Sequence, residues 1–264
     1  MKMLIMTDLE GVAGVVSFAN QTGPDGRYYE AAKKLLTAEV NAAVEGLIEA
    51  GVEEILVVDG HGAGAIEFTD LHPAARLLHG RPLAPWNSIA DVFKAYDACM
   101  IIGQHAMAGV QTSNMNHTQN SRAIDYYSLN GRKVGEIAQF ALFCGAVGVP
   151  MIFLSGEEAA CQEAQSFIPG IVTAPVKQGL SRHSAISVSA PEAHRRIREG
   201  VIQAVRHHKA DPIPPTVWEG PYVLEIRYFS TSDADARAAQ PGVERVDSQT
   251  VRIHSQTIVN IIYF

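Results

Sequence analysis

Short unbroken apolar runs punctuate the chain, and stretches with helical spacing lie between them. MLIM at 3–6 is the first run; others lie within EEILVVDG (53–60), DACMIIGQHA (97–106) and VGVPMIFLSG (147–156). Continuous apolarity over so few residues predicts strands buried on both faces of a sheet. Residues 29–50, YEAAKKLLTAEVNAAVEGLIEA, place apolar side chains at helical intervals and stop before Gly51, a helix-ending residue. GEIAQFALFCGA (135–146) has the same helical character. Strands alternating with helices predict an α/β fold, a mostly parallel sheet sandwiched by helices.

After about residue 180 the pattern changes. One helical stretch, APEAHRRIREGVIQAVRHHKA, precedes the Pro-rich DPIPPTVW, and the alternating runs YVLEIRYFS and TVRIHSQTIVNIIYF follow. This predicts a smaller C-terminal α+β portion, with an α/β domain over 1–182 and the second domain over 183–264. YYSLNGRKVGE (126–136) reads as a hairpin, because Asn130-Gly131 is a strong tight-turn signal between strand-like runs.

The ends of the predicted strands carry the chemistry. The first ends in Asp8-Leu9-Glu10-Gly11, the second in Asp59-Gly60-His61-Gly62, the third in Gly103-Gln104-His105. Ligands of open α/β sheets bind beyond the carboxyl ends of strands. In an extended segment positions i and i+2 share a face, which sets the Asp8 and Glu10 carboxylates side by side. Two such carboxylates repel unless a proton or a cation lies between them. A capping Asp8 followed by a solvated Glu10 at a helix start is the bland alternative.

Carboxylate and imidazole without thiolate are the donor set of catalytic zinc and related metals. Paired metals share a bridging carboxylate, a role for which Asp8 is well placed. Taken singly, His61 reads as a turn residue and His105 as a core histidine. Asp59 reads either as a loop cap or as a brace for a ligating imidazole. Glu136, at the start of a helix, suits the helix dipole without any metal.

Composition narrows the partners. The chain has 264 residues, 47% hydrophobic and 19% charged, with a formal net charge of −7 and no basic stripe. Nucleic acid is therefore not an expected partner. No apolar run approaches the ~20 residues of a membrane helix, and no membrane partner is expected. MKMLIMTDLEG meets a carboxylate too early for a secretory signal, so a cytoplasmic location is expected. Cys99, Cys144 and Cys161 form no CxxC pair and read as reduced structural thiols. His194, His207, His208 and His254 share no ligand spacing and read as surface or packing residues.

The order DLEG, DGHG, GQHA, then a histidine in SNMNHTQN, then NGRKVGE, resembles the D-aminopeptidase (DppA, M55) family of zinc metallopeptidases. VKQGLSR (176–182) is also similar to a stretch of that family, so the resemblance spans at least residues 3–182. It implies two zinc ions per subunit; an oxygen and nitrogen donor set also accepts Mn or Co. Asp8 would bridge them, Glu10 and His61 completing one site, His105 and Glu136 the other. It implies that His117 is the catalytic residue, as an acid/base or as a nucleophile. It further implies an aminopeptidase releasing D-amino acids from short peptides, built as a homodecamer of two pentameric rings.

Two departures stand out. Thr7 replaces a common Ser but keeps the hydroxyl, and the amide-rich loop around His117 matches only at the histidine. A metal-dependent amidase or hydrazidase acting on a non-peptide amide is thus the nearest alternative, separable by a panel of peptide and aryl amides. A dinuclear phosphoesterase calls for cations near the metals, and the candidate loops hold few: Arg122, Arg132 and Lys133 lie in and after the His117 loop. A non-enzymatic metal-binding protein would hold metal without hydrolysis.

Overall fold

The computed structural model describes residues 1–264. β1 (Lys2–Thr7) opens the chain with five consecutive buried residues. A single turn, α1 (Phe18–Gln21), precedes α2 (Tyr29–Glu49), which stops where Gly51 takes a φ of 79°. β2 (Glu54–Asp59), β3 (Ala75–Leu78), α3 (Trp86–Phe93) and β4 (Ala98–Gln104) follow. β5 (Ile124–Leu129) and β6 (Arg132–Val134) form the expected hairpin, with Asn130 and Gly131 at φ 51° and 80°. Next come α4 (Glu136–Ala146), β7 (Met151–Glu157), α5 (Glu158–Phe167), β8 (Val172–Ser181) and β9 (Ser184–Ser187). α6 (Ala190–Ala210), β10 (Tyr222–Tyr228), α7 (Thr231–Ala238), β11 (Val243–Arg245) and β12 (Thr250–Ser255) complete the chain.

The main sheet runs β3-β2-β1-β4-β7-β8-β9. All its neighbours are parallel except the β8–β9 pair. α2 and α6 pack on each other, closely enough that a Cβ on Gly46 would lie 2.7 Å from the Arg198 carbonyl oxygen. They cover β4, β7 and β8, while α4 meets β4 and β7 beside α3 and α5. The α/β fold with a mostly parallel, helix-flanked sheet is therefore the one expected.

The second sheet, β11-β12-β10-β5-β6, is antiparallel and joins strands from both sides of residue 182. One cluster of 71 buried residues includes side chains of both sheets. The alternating run at 250–264 is a strand only as far as Ser255; beyond it Ile258–Asn260 make a 3₁₀ turn and Ile261 and Ile262 are buried.

Strand order reverses between β1 and β4, since the chain winds outward through β2 and β3 on one side and through β7 and β8 on the other. A crevice above the carboxyl ends of strands forms at such a point. The segment leaving β1 is stitched to β4, with Asp8 N–H donating to the Ile102 carbonyl (2.9 Å) and Gly11 N–H to that of Gly103 (2.7 Å). A Cβ on Gly11 would lie 2.0 Å from the Gln104 carbonyl oxygen. Gly11→Ala is accordingly expected to cost about 1–3 kcal/mol, read as a lower urea midpoint at unchanged m-value.

Candidate metal centre

β1 stops at Thr7, and after Asp8 the residues Leu9–Gly11 form a bend and turn with no helix directly behind them. The alternation of an extended strand therefore does not carry through to Glu10, and neither does a helix cap. The turn still gathers the two carboxylates around one ring. His61 Nδ1, from the loop after β2, lies 3.4 Å from Asp8 Oδ1 and 3.0 Å from Glu10 Oε2. His105, just after β4, brings Nε2 to 3.1 Å from Asp8 Oδ2 and 3.6 Å from Glu136 Oε1. His117 Nε2 is 3.9 Å from the same Glu136 oxygen. Asp8 thus faces two imidazoles with different oxygens. Donor atoms of Asp8, Glu10 and His105 lie within 4.8 Å of one another, and so do those of His105, His117 and Glu136.

Each imidazole is oriented by a backbone carbonyl, which can only accept a hydrogen bond. His61 Nε2–H donates to Thr22 (2.8 Å), His105 Nδ1–H to Ala106 (2.9 Å) and His117 Nδ1–H to Met115 (2.9 Å). The other nitrogen of each ring faces carboxylate oxygens, an arrangement that needs a proton or a cation between them. Glu10 Oε2 and His105 Nε2 are both buried without a hydrogen-bond partner. Such orphaned atoms are rare in folded proteins and point to an ion. The donor set, all carboxylate and imidazole, fits zinc or a similar divalent metal.

The charges of the bare chain agree with that fit. Burial opposes a charge on His61, but Glu10 and Asp8 outweigh it and push the group up to about 12. His105 is likewise raised against burial by Glu136 and Asp8, to about 10. Burial alone would raise the Asp8 carboxyl, yet His105 and His61 hold it well below the usual carboxylate range. His117 moves the other way, lowered by burial and then by the positive His105 stacked on it at 4.0 Å. Positive charge is thus favoured between the carboxylates and disfavoured on His117.

Beneath these residues lies a charged layer that sequence reading did not find. Lys177, on β8 and 2% exposed, donates from Nζ to the carbonyls of Glu10 and Val15 (the latter at 2.8 Å), pinning the turn after Asp8 at both ends. Glu39 on α2 accepts from Ala13 N–H in the same turn at 2.9 Å. Glu157, ending β7, accepts from Ser113 Oγ and Asn114 N–H at the start of the His117 loop. Arg182 donates to both oxygens of Asn116, and its carbonyl accepts from Met115 N–H at 2.9 Å. The two cations of VKQGLSR therefore hold the loops that carry Glu10 and His117.

Asp59 caps its own loop, accepting from Ala65 N–H at 3.0 Å and pairing with Arg81. The brace for His61 is the Thr22 carbonyl instead. Of the cations in and after the His117 loop in sequence, Arg122 lines the cavity, whereas Arg132 stacks on Trp218 and Lys133 on Tyr126. A cavity of about 450 Å³ opens onto the cluster, lined by Asp8, Glu10, His61, His117 and Glu136 and, farther out, by apolar side chains.

The whole chain can be placed among known proteins. The sequence profile of the peptidase M55 family, described as D-aminopeptidase, matches residues 1–264. A D-aminopeptidase of Bacillus subtilis (strain 168) is 27% identical over 263 residues, which span 98% of this chain and 93% of that protein. Among solved structures, the Zn-dependent D-aminopeptidase DppA from Bacillus subtilis, a self-compartmentalizing protease, is similar with a TM-score of 0.90 and 26% identity. That match covers 99% of this chain and 94% of the solved one.

Proposed function

This chain belongs to the M55 family of D-aminopeptidases, and on that footing we propose that it is a zinc-dependent aminopeptidase releasing N-terminal D-amino acids from short peptides. The observation that carries this reading is the set of three carbonyl-anchored imidazoles whose free nitrogens converge on Asp8, Glu10 and Glu136. We assign two zinc ions per subunit: Asp8, Glu10 and His61 would hold one, and Asp8, His105 and Glu136 the other. When bound, zinc supplies Lewis acidity for the scissile carbonyl and acidifies water toward neutrality.

The chain's own groups supply the proton path. His117 keeps Nδ1–H on the Met115 carbonyl, which leaves Nε2 as the ring's basic atom facing the cavity. Burial lowers the pKa of His117 and so favours the neutral ring, whose Nε2 can take a proton from the attacking water and then return it to the leaving amine. Gln119 N–H donates to Glu136 Oε1 at 2.7 Å, and the Gln104 amide donates to Asp8 Oδ2 at 3.2 Å, so both carboxylates are held in place. Beyond the proposed metal ligands, Asp25 and Arg122 line the same cavity with one charge of each sign, matching the amine and carboxylate ends of a short peptide.

The assignment of His117 separates binding from turnover. His117→Ala is expected to retain both zinc ions and to lose about 10²–10⁴ in kcat on D-alanyl peptides. Full hydrolysis by that variant overturns the catalytic role, and loss of one zinc makes His117 a ligand instead.

The name of the solved relative, a self-compartmentalizing protease, supports a homo-oligomer. We extend this to a decamer of two stacked pentameric rings, as the family resemblance implies. Three buried, unpaired cysteines support a reducing, cytoplasmic setting. No helix is long and apolar enough to cross a membrane.

A further inference from the structure

The cavity has a second half that the metal chemistry does not use. α4 presents Glu136 and, one turn later, Phe140 to the same space. Residues four apart on a helix lie about 5–6 Å from each other, so an apolar wall begins one side-chain length from a proposed zinc ligand. Trp86, the first residue of α3, and Tyr263, in the C-terminal tail, extend that wall. Their rings stack at 4.0 Å and 13°. Phe143 braces both from behind, edge-on at 5.2 Å and 5.6 Å. Leu83 lines the cavity with them.

The wall is also fastened to the catalytic loop. Gln139 donates to the Ile262 carbonyl at 3.0 Å, fixing the tail that carries Tyr263. The same Gln139 accepts from the Gln119 side chain at 3.0 Å, and the backbone of Gln119 holds Glu136. Metal ligand, His117 loop and aromatic wall therefore form one hydrogen-bonded unit. A rigid apolar surface beside the reacting carbonyl has no part in proton transfer or metal binding. Its chemistry is to desolvate a hydrophobic group.

Resting on the hydrolase reading above, we propose that Leu83, Trp86, Phe140 and Tyr263 form the subsite for the side chain on the acyl side of the scissile amide. The chain accordingly takes aromatic and large aliphatic D-residues ahead of D-alanine. A small methyl group leaves this wall facing water, whereas a phenyl ring covers it.

The test compares D-phenylalaninamide with D-alaninamide on the zinc-loaded protein. The expected result is a kcat/KM at least about tenfold higher for the aromatic amide. Trp86→Ala and Leu83→Ala shrink that ratio toward one. A ratio of two substrates in one sample does not depend on the fraction folded, so it separates recognition from stability. Binding is read independently by titrating the zinc-loaded protein with free D-phenylalanine and D-alanine and following tryptophan emission. Trp86 lines the cavity, whereas Trp218 packs against Phe167 and Arg132.

D-phenylalanine is expected to give a saturable signal at least about tenfold tighter than D-alanine, and Trp86→Phe removes it. Selective binding of D-phenylalanine without turnover of any amide sinks the hydrolase reading and leaves the subsite standing. Equal or better turnover and binding of the alanine compounds overturns the subsite.

Discussion

Asp8→Ala is expected to strip the centre of both zinc ions and to abolish measurable amide hydrolysis. Asp8 is the one carboxylate that meets two imidazoles through two different oxygens, at 3.4 Å to His61 and 3.1 Å to His105. Removing it leaves Glu10 and His61 as a two-donor remnant on one side, and His105 and Glu136 on the other. Catalytic zinc needs three protein ligands; with His117, which also reaches His105 and Glu136, kept for proton transfer, neither pair reaches that number. Lewis-acid stabilisation is worth several kcal/mol, so its loss lowers kcat/KM by about 10³-fold or more. Metal analysis and a D-alanyl peptide assay on the same preparation read both effects. Activity restored by millimolar zinc would show that Asp8 strengthens the centre without bridging it.

Lys177→Met is expected to have the largest effect on stability. Burial pushes the Lys177 ammonium down to about 8 even though Glu157, Glu10 and Glu39 favour its charge, so the group is still mostly protonated at pH 7. Glu39 is driven up to about 8 by burial and is mostly neutral there, which leaves Glu157 and Glu10 as the main carboxylates favouring the Lys177 charge. The methionine fills similar volume but leaves the Glu10 and Val15 carbonyls without their donor and removes the charge facing Glu157. Two unmade buried hydrogen bonds cost about 1–3 kcal/mol each, and each kcal/mol lowers Tm by roughly 2–4 °C in a chain near this size. Because the released turn carries Glu10, zinc affinity should also fall, by about 10–100-fold. Thermal melts with and without zinc separate the two effects: the zinc-free melt reads the fold, and the added stabilisation by zinc reads the site. An unchanged zinc affinity in a destabilised variant would confine Lys177 to the fold.

The parts legible in the sequence are those with local causes. Four buried strands announced themselves as apolar runs, α2 and α6 as periodic stretches, and the β5–β6 turn through Asn130-Gly131. The strand-end rule then collected Asp8, Glu10, His61 and His105 without knowing the topology, because β1, β2 and β4 are neighbours in the sheet. Glu136 and His117 were legible only through the family resemblance. One begins a helix and the other sits in a loop, positions where both residue types are common without a metal.

The remainder has no local signature. Lys177 is a single polar residue in a strand, and its partners are carbonyls more than a hundred residues earlier in the chain. Glu157 was in reach: it ends β7 as Asp59 ends β2, three residues past Leu154. The pairing of β10 with β5 is antiparallel and distant, and alternation within each strand does not reveal its partner. Tyr263 looked like the end of a strand-like run, yet the tail leaves β12 after Ser255 and turns under the cavity.

Counting zinc by equilibrium dialysis, on wild-type protein purified without chelator and on Asp8→Ala side by side, tests the dinuclear centre most directly. Two ions per wild-type chain and none tightly held in the variant is the expected result. One ion per wild-type chain, or one retained in the variant at wild-type affinity, contradicts a centre bridged by Asp8.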